Sequence, residues 1–173
     1  AQRNEEFRHV LTEAQVALAD GVGLMWAGRV TGSPLKGRVT GVDTLLLLAH
    51  LAADRGYRLF LLGAREGIAQ RTARRLQYQW PDLQIVGTYG GSPAPQEEDS
   101  IVAMVRAAQP HLLFVAYGAP QQELWISRNL QRLQVPVAIG VGGAFDYISG
   151  ATRRAPAWLR RLGLEWVFRL FRE

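Results

Sequence analysis

The sequence predicts an α/β fold, a parallel sheet flanked by helices, on three observations. Apolar runs at Tyr57–Leu62, Leu112–Tyr117 and Val135–Val141 read as strands, the first buried and the second suited to burial on both faces. Each run ends at a glycine, Gly63, Gly118 or Gly140, where the chain turns. Segments with helical spacing of apolar residues separate the runs, the alternation that builds parallel sheets. Ligands of such sheets bind at the carboxyl ends of the strands. The stretch Leu112–Asp146, with two of the three glycine turns, is therefore the first place to seek chemistry.

At 173 residues the chain is expected to form one core domain, long enough to bury a substantial interior. It contains no cysteine, which excludes disulfides and thiolate metal sites and suits a reducing compartment. The longest aliphatic run, Thr44–Ala53, is too short to cross a bilayer and reads as a buried helix. The start AQRNEEFRHV is polar and helical in character and does not read as a signal peptide, and without an initiating Met the chain reads as a fragment. Net charge is +5. From Ala151 onward six arginines stand against two glutamates, so most of that charge is C-terminal and calls for an anionic partner.

In chain order, Glu5–Leu18 places Phe7, Val10, Leu11, Ala14 and Leu18 on one helical face. Val22–Ala27 is a short apolar helix, and the glycine-rich, cationic Gly28–Gly41 is a loop. Asp43 caps a helix over Thr44–Arg55 that Gly56 closes. After the strand Tyr57–Leu62 a helix runs from Ile68 to about Gln79. Leu83–Val86 is a strand, Gly87–Pro95 a loop, and Gln96–Gln109 a helix. Gly118 and Pro120 break the next strand before a helix beginning at Gln121. Gly142–Ala155 is expected as a loop. The division is a core over 1–155 and a basic amphipathic helix over 156–173, with Leu159, Leu162, Trp166 and Leu170 on one face. That helix suits an anionic membrane surface, or equally packing on its own domain.

Known motifs narrow the chemistry. LFLLGAREG lacks both the P-loop Gly-Lys-Ser/Thr and a full G-x-G-x-x-G, so it is either a simple βα turn or an anion site at a helix start. The Gly140–Gly143 turn lets a ligand approach the backbone closely. His9, His50 and His111 are scattered, no nucleophile elbow is present, and no histidine pair has metal spacing. The absence of Asp-x-Asp counts against a metal held between a carboxylate pair and a nucleotide diphosphate. Among the carboxylates, Asp20 before Gly21, Asp43, Glu123 and Asp146 are candidates by position, each with a surface or capping role as the alternative. Gln121 and Gln122 can bind sugar hydroxyls but do no acid–base work.

ADGVG (Ala19–Gly23), GRVTGVD (Gly37–Asp43), FLLGAREG (Phe60–Gly67), YGAPQQELWISRN (Tyr117–Asn129), IGVGGAFDYISG (Ile139–Gly150), RRAPAWL (Arg153–Leu159) and GLEWVFRL (Gly163–Leu170) together resemble the WecG/TagA/CpsF family of bacterial glycosyltransferases. The resemblance covers nearly the whole chain. It implies a Rossmann-like, metal-independent enzyme without a cofactor that moves N-acetylmannosamine or a relative from a UDP-sugar to a polyprenyl-diphosphate-linked saccharide. It implies Asp20 as catalytic base, with Arg38 and Gln122 at the substrate. Glu123 then becomes a sugar-site candidate and Gly142 and Gly143 a diphosphate cradle, with Asp43 and Asp146 as further binding candidates. Three departures stand out: no Thr-x-Asn element precedes Asp20, no arginine-bearing appendage follows Glu173, and Ala-Asp-Gly replaces Pro-Asp-Gly.

On this reading the enzyme is inverting and builds cell-surface polysaccharide. It sits in the cytoplasm at the inner face of the plasma membrane, held there by the C-terminal helix. A homo-oligomer stays open. The alternative is a non-catalytic nucleotide-sugar or dinucleotide-binding domain. The nearly neutral body and the lack of an RNA or DNA motif count against a nucleic-acid partner.

Overall fold

Alternation within the apolar runs sorts their side chains onto two faces of one sheet. The computed structural model describes residues 5–152, and in it β1 (Arg58–Gly63), β2 (Gln84–Tyr89), β3 (Leu112–Ala116) and β4 (Val137–Gly140) form a parallel sheet in the order β2-β1-β3-β4. Leu59, Leu61, Leu112 and Phe114 point to one face and Phe60, Leu62, Leu113 and Val115 to the other. α3 (Gly41–Arg55), α4 (Ile68–Gln79) and α7 (Ala144–Ser149) cover the first face, burying Leu45, Ala49, Leu76 and Phe145. α5 (Pro95–Ala108) and α6 (Gln121–Leu133) cover the second with Ile101, Val105, Trp125 and Leu133. This is the expected Rossmann-like α/β architecture. Each large side chain so enclosed contributes about 1.5–3 kcal/mol. Arg128 on α6 donates to Glu98 on α5 at 2.6 Å and Arg132 pairs with Asp99, tying the two helices together across their outer rims.

Several boundaries differ from expectation, each for a local reason. α1 (Glu5–Glu13) stops short of Leu18. Beyond it Ala19 accepts a hydrogen bond from Val39 N–H at 3.0 Å, which draws the chain out of helix beside the loop before α3. α2 (Val22–Val30) continues past Ala27, with Gly28 packed against the Ser33 carbonyl, where a Cβ would lie 2.7 Å away. α3 begins at Gly41, and its cap is Thr40 rather than Asp43. Thr40 Oγ1 accepts from Asp43 N–H at 3.2 Å and donates to Asp43 Oδ2 at 2.7 Å, so Asp43 completes the cap from inside the first turn.

β2 runs through Gly87 to Tyr89, where the glycine content predicts a loop. The Phe60 ring lies over Gly87, where a Cβ would meet it at 2.3 Å, and the β1–β2 register shifts beside this contact. β4 starts only after Pro136, which has no N–H for the ladder. α7 lies inside the expected loop 142–155; six residues carry too little periodicity to announce a helix. The expected helix over 156–173 lies outside the described residues. No helix among the described residues is long and apolar enough to cross a membrane.

Candidate functional site

The carboxyl ends of β3 and β4 and the start of α3 enclose a cleft of about 320 Å³. Leu18 and Asp20 border it on one side, Thr40, Gly41 and Thr44 line it from α3, and Gln122 and Glu123 come from α6. Gly140, Gly142, Gly143 and Tyr147 close it. This is the position at which parallel sheets bind ligands. A second cavity, about 260 Å³ and lined by Arg58, Arg106 and His111, lies at the opposite, amino end of the strands.

Two close approaches give the cleft its shape. At Gly41 a Cβ would lie 2.6 Å from the Val141 carbonyl oxygen, so only glycine lets α3 start against the β4–α7 turn. At Gly140 a Cβ would lie 2.7 Å from Gln122 Nε2 and 2.9 Å from its Cδ. The Gln122 side chain therefore passes directly over the β4 backbone.

Gln122 is buried and works as a clamp between the two glycine turns. Its Oε1 accepts from Gly118 N–H at 3.2 Å and from Gly142 N–H at 2.9 Å. Its Nε2 donates to Glu123 Oε1 at 2.7 Å. The two backbone donors fix which amide atom is oxygen, since the reverse orientation would oppose donor to donor. The other Glu123 oxygen, Oε2, is enclosed without a hydrogen-bond partner, as is Thr44 Oγ1.

Asp20 stands at the cleft's edge with its Oδ2 accepting from Gly41 N–H at 3.4 Å. That N–H is one of the unsatisfied donors of a helix start, a place that favours a carboxylate. The Val39–Ala19 hydrogen bond steadies the same approach. An exposed carboxylate that borders a cleft can accept a proton from a hydroxyl bound there.

The structure thus brings Asp20, Gln122, Glu123, Gly142 and Gly143 to one cleft, and leaves three candidates outside its lining. Arg38 precedes the lining residues Val39 and Thr40 and is half-buried. Asp43 is exposed and engaged with Thr40. Asp146 on α7 pairs instead with Arg65 of the β1–α4 loop at 3.1 Å; because Arg65 is mostly exposed, solvent screens the pair. The Gly142 N–H, expected to face a diphosphate, is taken by Gln122. Thr40, Gly41, Thr44 and Tyr147 were not among the candidates. The block GRVTGVD carried the signal for the first two, since Thr-x-x-Asp is a capping pattern.

On the far face of the sheet, Tyr117 meets Trp125 edge-on at 5.9 Å between ring centroids, and neither the phenol nor the indole N–H has a partner. Burial, then the nearby Glu97 and Tyr89, holds the Tyr117 phenol well above its ordinary range. The folded state therefore keeps this proton after an unfolded chain would lose it, and stability falls as pH rises past about 10. Tyr117→Phe removes an unpaired buried hydroxyl. It is expected to leave the unfolding free energy unchanged or raise it by up to about 1 kcal/mol and to flatten that alkaline slope, as read by chemical denaturation at several pH values.

Comparison with known proteins adds to this geometry. The family described as "Glycosyl transferase WecG/TagA/CpsF family" matches residues 1–173. A Bacillus spizizenii protein named N-acetylglucosaminyldiphosphoundecaprenol N-acetyl-beta-D-mannosaminyltransferase is 34% identical over 170 residues, covering 98% of this chain and 65% of the relative. A Bacillus subtilis protein of the same name is 32% identical, covering 98% and 66%. A Staphylococcus aureus protein, again of that name, is 28% identical over 169 residues, with the same shares. The chain thus spans just under two thirds of the length of these relatives.

Proposed function

We propose, for a chain that belongs to the WecG/TagA/CpsF family of glycosyl transferases, that it moves N-acetylmannosamine or a related sugar from a UDP-sugar onto a polyprenyl-diphosphate-linked saccharide. The relatives' names state the acceptor, an N-acetylglucosaminyl diphosphoundecaprenol, and the sugar moved. The observation that carries the reading is the Asp20 carboxylate at the mouth of a cleft built by the glycine turns of β3 and β4.

Asp20 accepts the proton of the acceptor hydroxyl as that oxygen attacks the anomeric carbon, and the bond to the UDP oxygen breaks on the opposite side. The configuration at carbon inverts. Gln122 keeps the two turns apart at fixed spacing and retains one amide N–H for the sugar. A hydroxyl or acetamido N–H of the sugar satisfies Glu123 Oε2, which otherwise has no donor. Negative charge grows on the departing diphosphate. Arg38, the Gly143 N–H and the arginines beyond Ala151 are its stabilisers on this reading, with the Gly142 N–H held back by Gln122. The metal-free reading rests on the sequence, which lacks Asp-x-Asp. Asp43 and Asp146 act at one remove, Asp43 by completing the α3 cap and Asp146 by anchoring α7 to the β1–α4 loop. The tail beyond residue 155 holds the enzyme at the inner face of the plasma membrane.

A non-catalytic nucleotide-binding domain on the same sheet is the competing reading. Calorimetry with UDP-N-acetylmannosamine, UDP and NAD separates the two. The transferase is expected to bind both uridine ligands and to ignore NAD; preference for NAD would overturn the assignment.

A further inference from the structure

Thr44 breaks a rule that the other described helical threonines keep. Thr12 on α1 and Thr72 on α4 donate their hydroxyls to the carbonyl four residues earlier, Arg8 at 3.0 Å and Ile68 at 2.9 Å. Thr31 at the end of α2 does the same with Ala27 at 2.9 Å. That back-bond is the ordinary resting place of a threonine hydroxyl in a helix. Thr44 of α3 forgoes it. Its Oγ1 has no hydrogen-bond partner among the described residues, although the side chain is only 9% exposed and lines the Asp20 cleft. A buried hydroxyl without a partner is rare in a native wall, and beside a cleft it calls for a partner that arrives with the ligand.

The wall around Thr44 narrows what that partner is. Val42, Val141 and Ala144 line the same cleft and are buried, and Gly41 brings α3 directly against the Val141 carbonyl. The ligand therefore meets α3 and the β4–α7 turn as apolar side chains with one recessed hydroxyl. On α6 the unpaired atom is a carboxylate oxygen, Glu123 Oε2, which takes a hydroxyl or an N–H instead. A recessed hydroxyl in an apolar wall suits a projecting carbonyl oxygen that carries an apolar group beside it. An N-acyl group has both parts. Its carbonyl accepts from Thr44 and its methyl packs on Val42, Val141 and Ala144.

We propose that Thr44 Oγ1 donates to the acyl carbonyl of an N-acylated sugar and makes the cleft prefer that sugar over its counterpart without the acyl group. The inference rests on the transferase reading and deepens it. Asp20 is held at the Gly41 N–H, three residues before Thr44 and about 4.5 Å away along the axis of α3. The acyl group then sits beside the reacting centre. In N-acetylmannosamine the amide is on the carbon next to the anomeric one, which fits that placement; the N-acetylglucosamine of the acceptor is the other source of the same group.

The test compares the full chain with Thr44→Val and Thr44→Ser, by kcat/KM for transfer and by calorimetric affinity. One arm sets UDP-N-acetylmannosamine against UDP-mannose on a fixed acceptor. The other sets prenyl-diphosphate N-acetylglucosamine against prenyl-diphosphate glucose on a fixed donor. Valine keeps the volume and removes the hydroxyl. It is expected to lower the preference for the acylated member of one pair by about five- to tenfold, and serine to restore it. The arm that responds identifies the sugar whose acyl group Thr44 reads. Since the hydroxyl is unpaired in the free protein, stability of Thr44→Val in urea should be unchanged or slightly higher. An unchanged preference in both arms would overturn the proposal, and so would a loss of stability in Thr44→Val that Thr44→Ser repairs. Preferential binding of an acylated sugar that Thr44→Val abolishes, in a protein that transfers none, would leave the acyl site standing and overturn the transferase reading alone.

Discussion

Asp20→Asn lowers the turnover of sugar transfer by about a thousandfold, the scale on which a positioned general base contributes, while UDP-sugar affinity stays within about twofold. The asparagine keeps an oxygen for the Gly41 N–H, so the start of α3 and the edge of the cleft should hold their places. What it loses is the capacity to take a proton. Single-turnover transfer measured beside calorimetric donor affinity separates the two effects. Loss of donor binding in step with turnover would make Asp20 a binding residue instead, and undiminished turnover would remove it from the mechanism.

Gln122→Leu is expected to cost about 2–5 kcal/mol of stability, because it strands two backbone donors, Gly118 N–H and Gly142 N–H, in a partly buried turn. The two glycine turns should then separate and transfer should fail with the fold intact or loosened. Gln122→Glu provides the contrast. It keeps an acceptor for both N–H groups but sets a second carboxylate beside Glu123, replacing the 2.7 Å hydrogen bond with repulsion. Stability in urea should therefore fall less in Gln122→Glu than in Gln122→Leu. Gly140→Ala is predicted to resemble the leucine variant, since its new methyl takes the space of the Gln122 amide. Equal stability of wild type and Gln122→Leu would show that the clamp is incidental.

The central strands β1 and β3 were legible because burial on both faces leaves continuous apolar runs, and the glycines at Gly63, Gly118 and Gly140 mark where β1, β3 and the edge strand β4 end. The helices α4 and α6 were legible to within a residue or two at their starts for the same reason: their apolar spacing is strong and a turn precedes each. What the sequence hid was tertiary. Nothing local in Gly-Val-Gly-Gly says that the Gly142 N–H is spoken for, because its partner Gln122 is 20 residues away. The start of α3 at Thr40 does have a local sign, the Thr-x-x-Asp spacing to Asp43, but the neighbours Arg38 and Val39 read as loop and hide it. Asp146 looked like a ligand residue because it follows two glycines; its partner Arg65 comes from a different strand–helix unit.

The central claim is that the Asp20 cleft performs an inverting transfer of a sugar to a lipid diphosphate. The most direct measurement incubates the full chain with UDP-N-acetylmannosamine, a prenyl-diphosphate N-acetylglucosamine acceptor and a metal chelator, and determines the anomeric configuration of the isolated product. The account predicts a β-linked disaccharide, formed at the same rate with and without chelator and absent with Asp20→Asn. An α-linked product, UDP release by hydrolysis alone, or a rate that vanishes with chelator would contradict it.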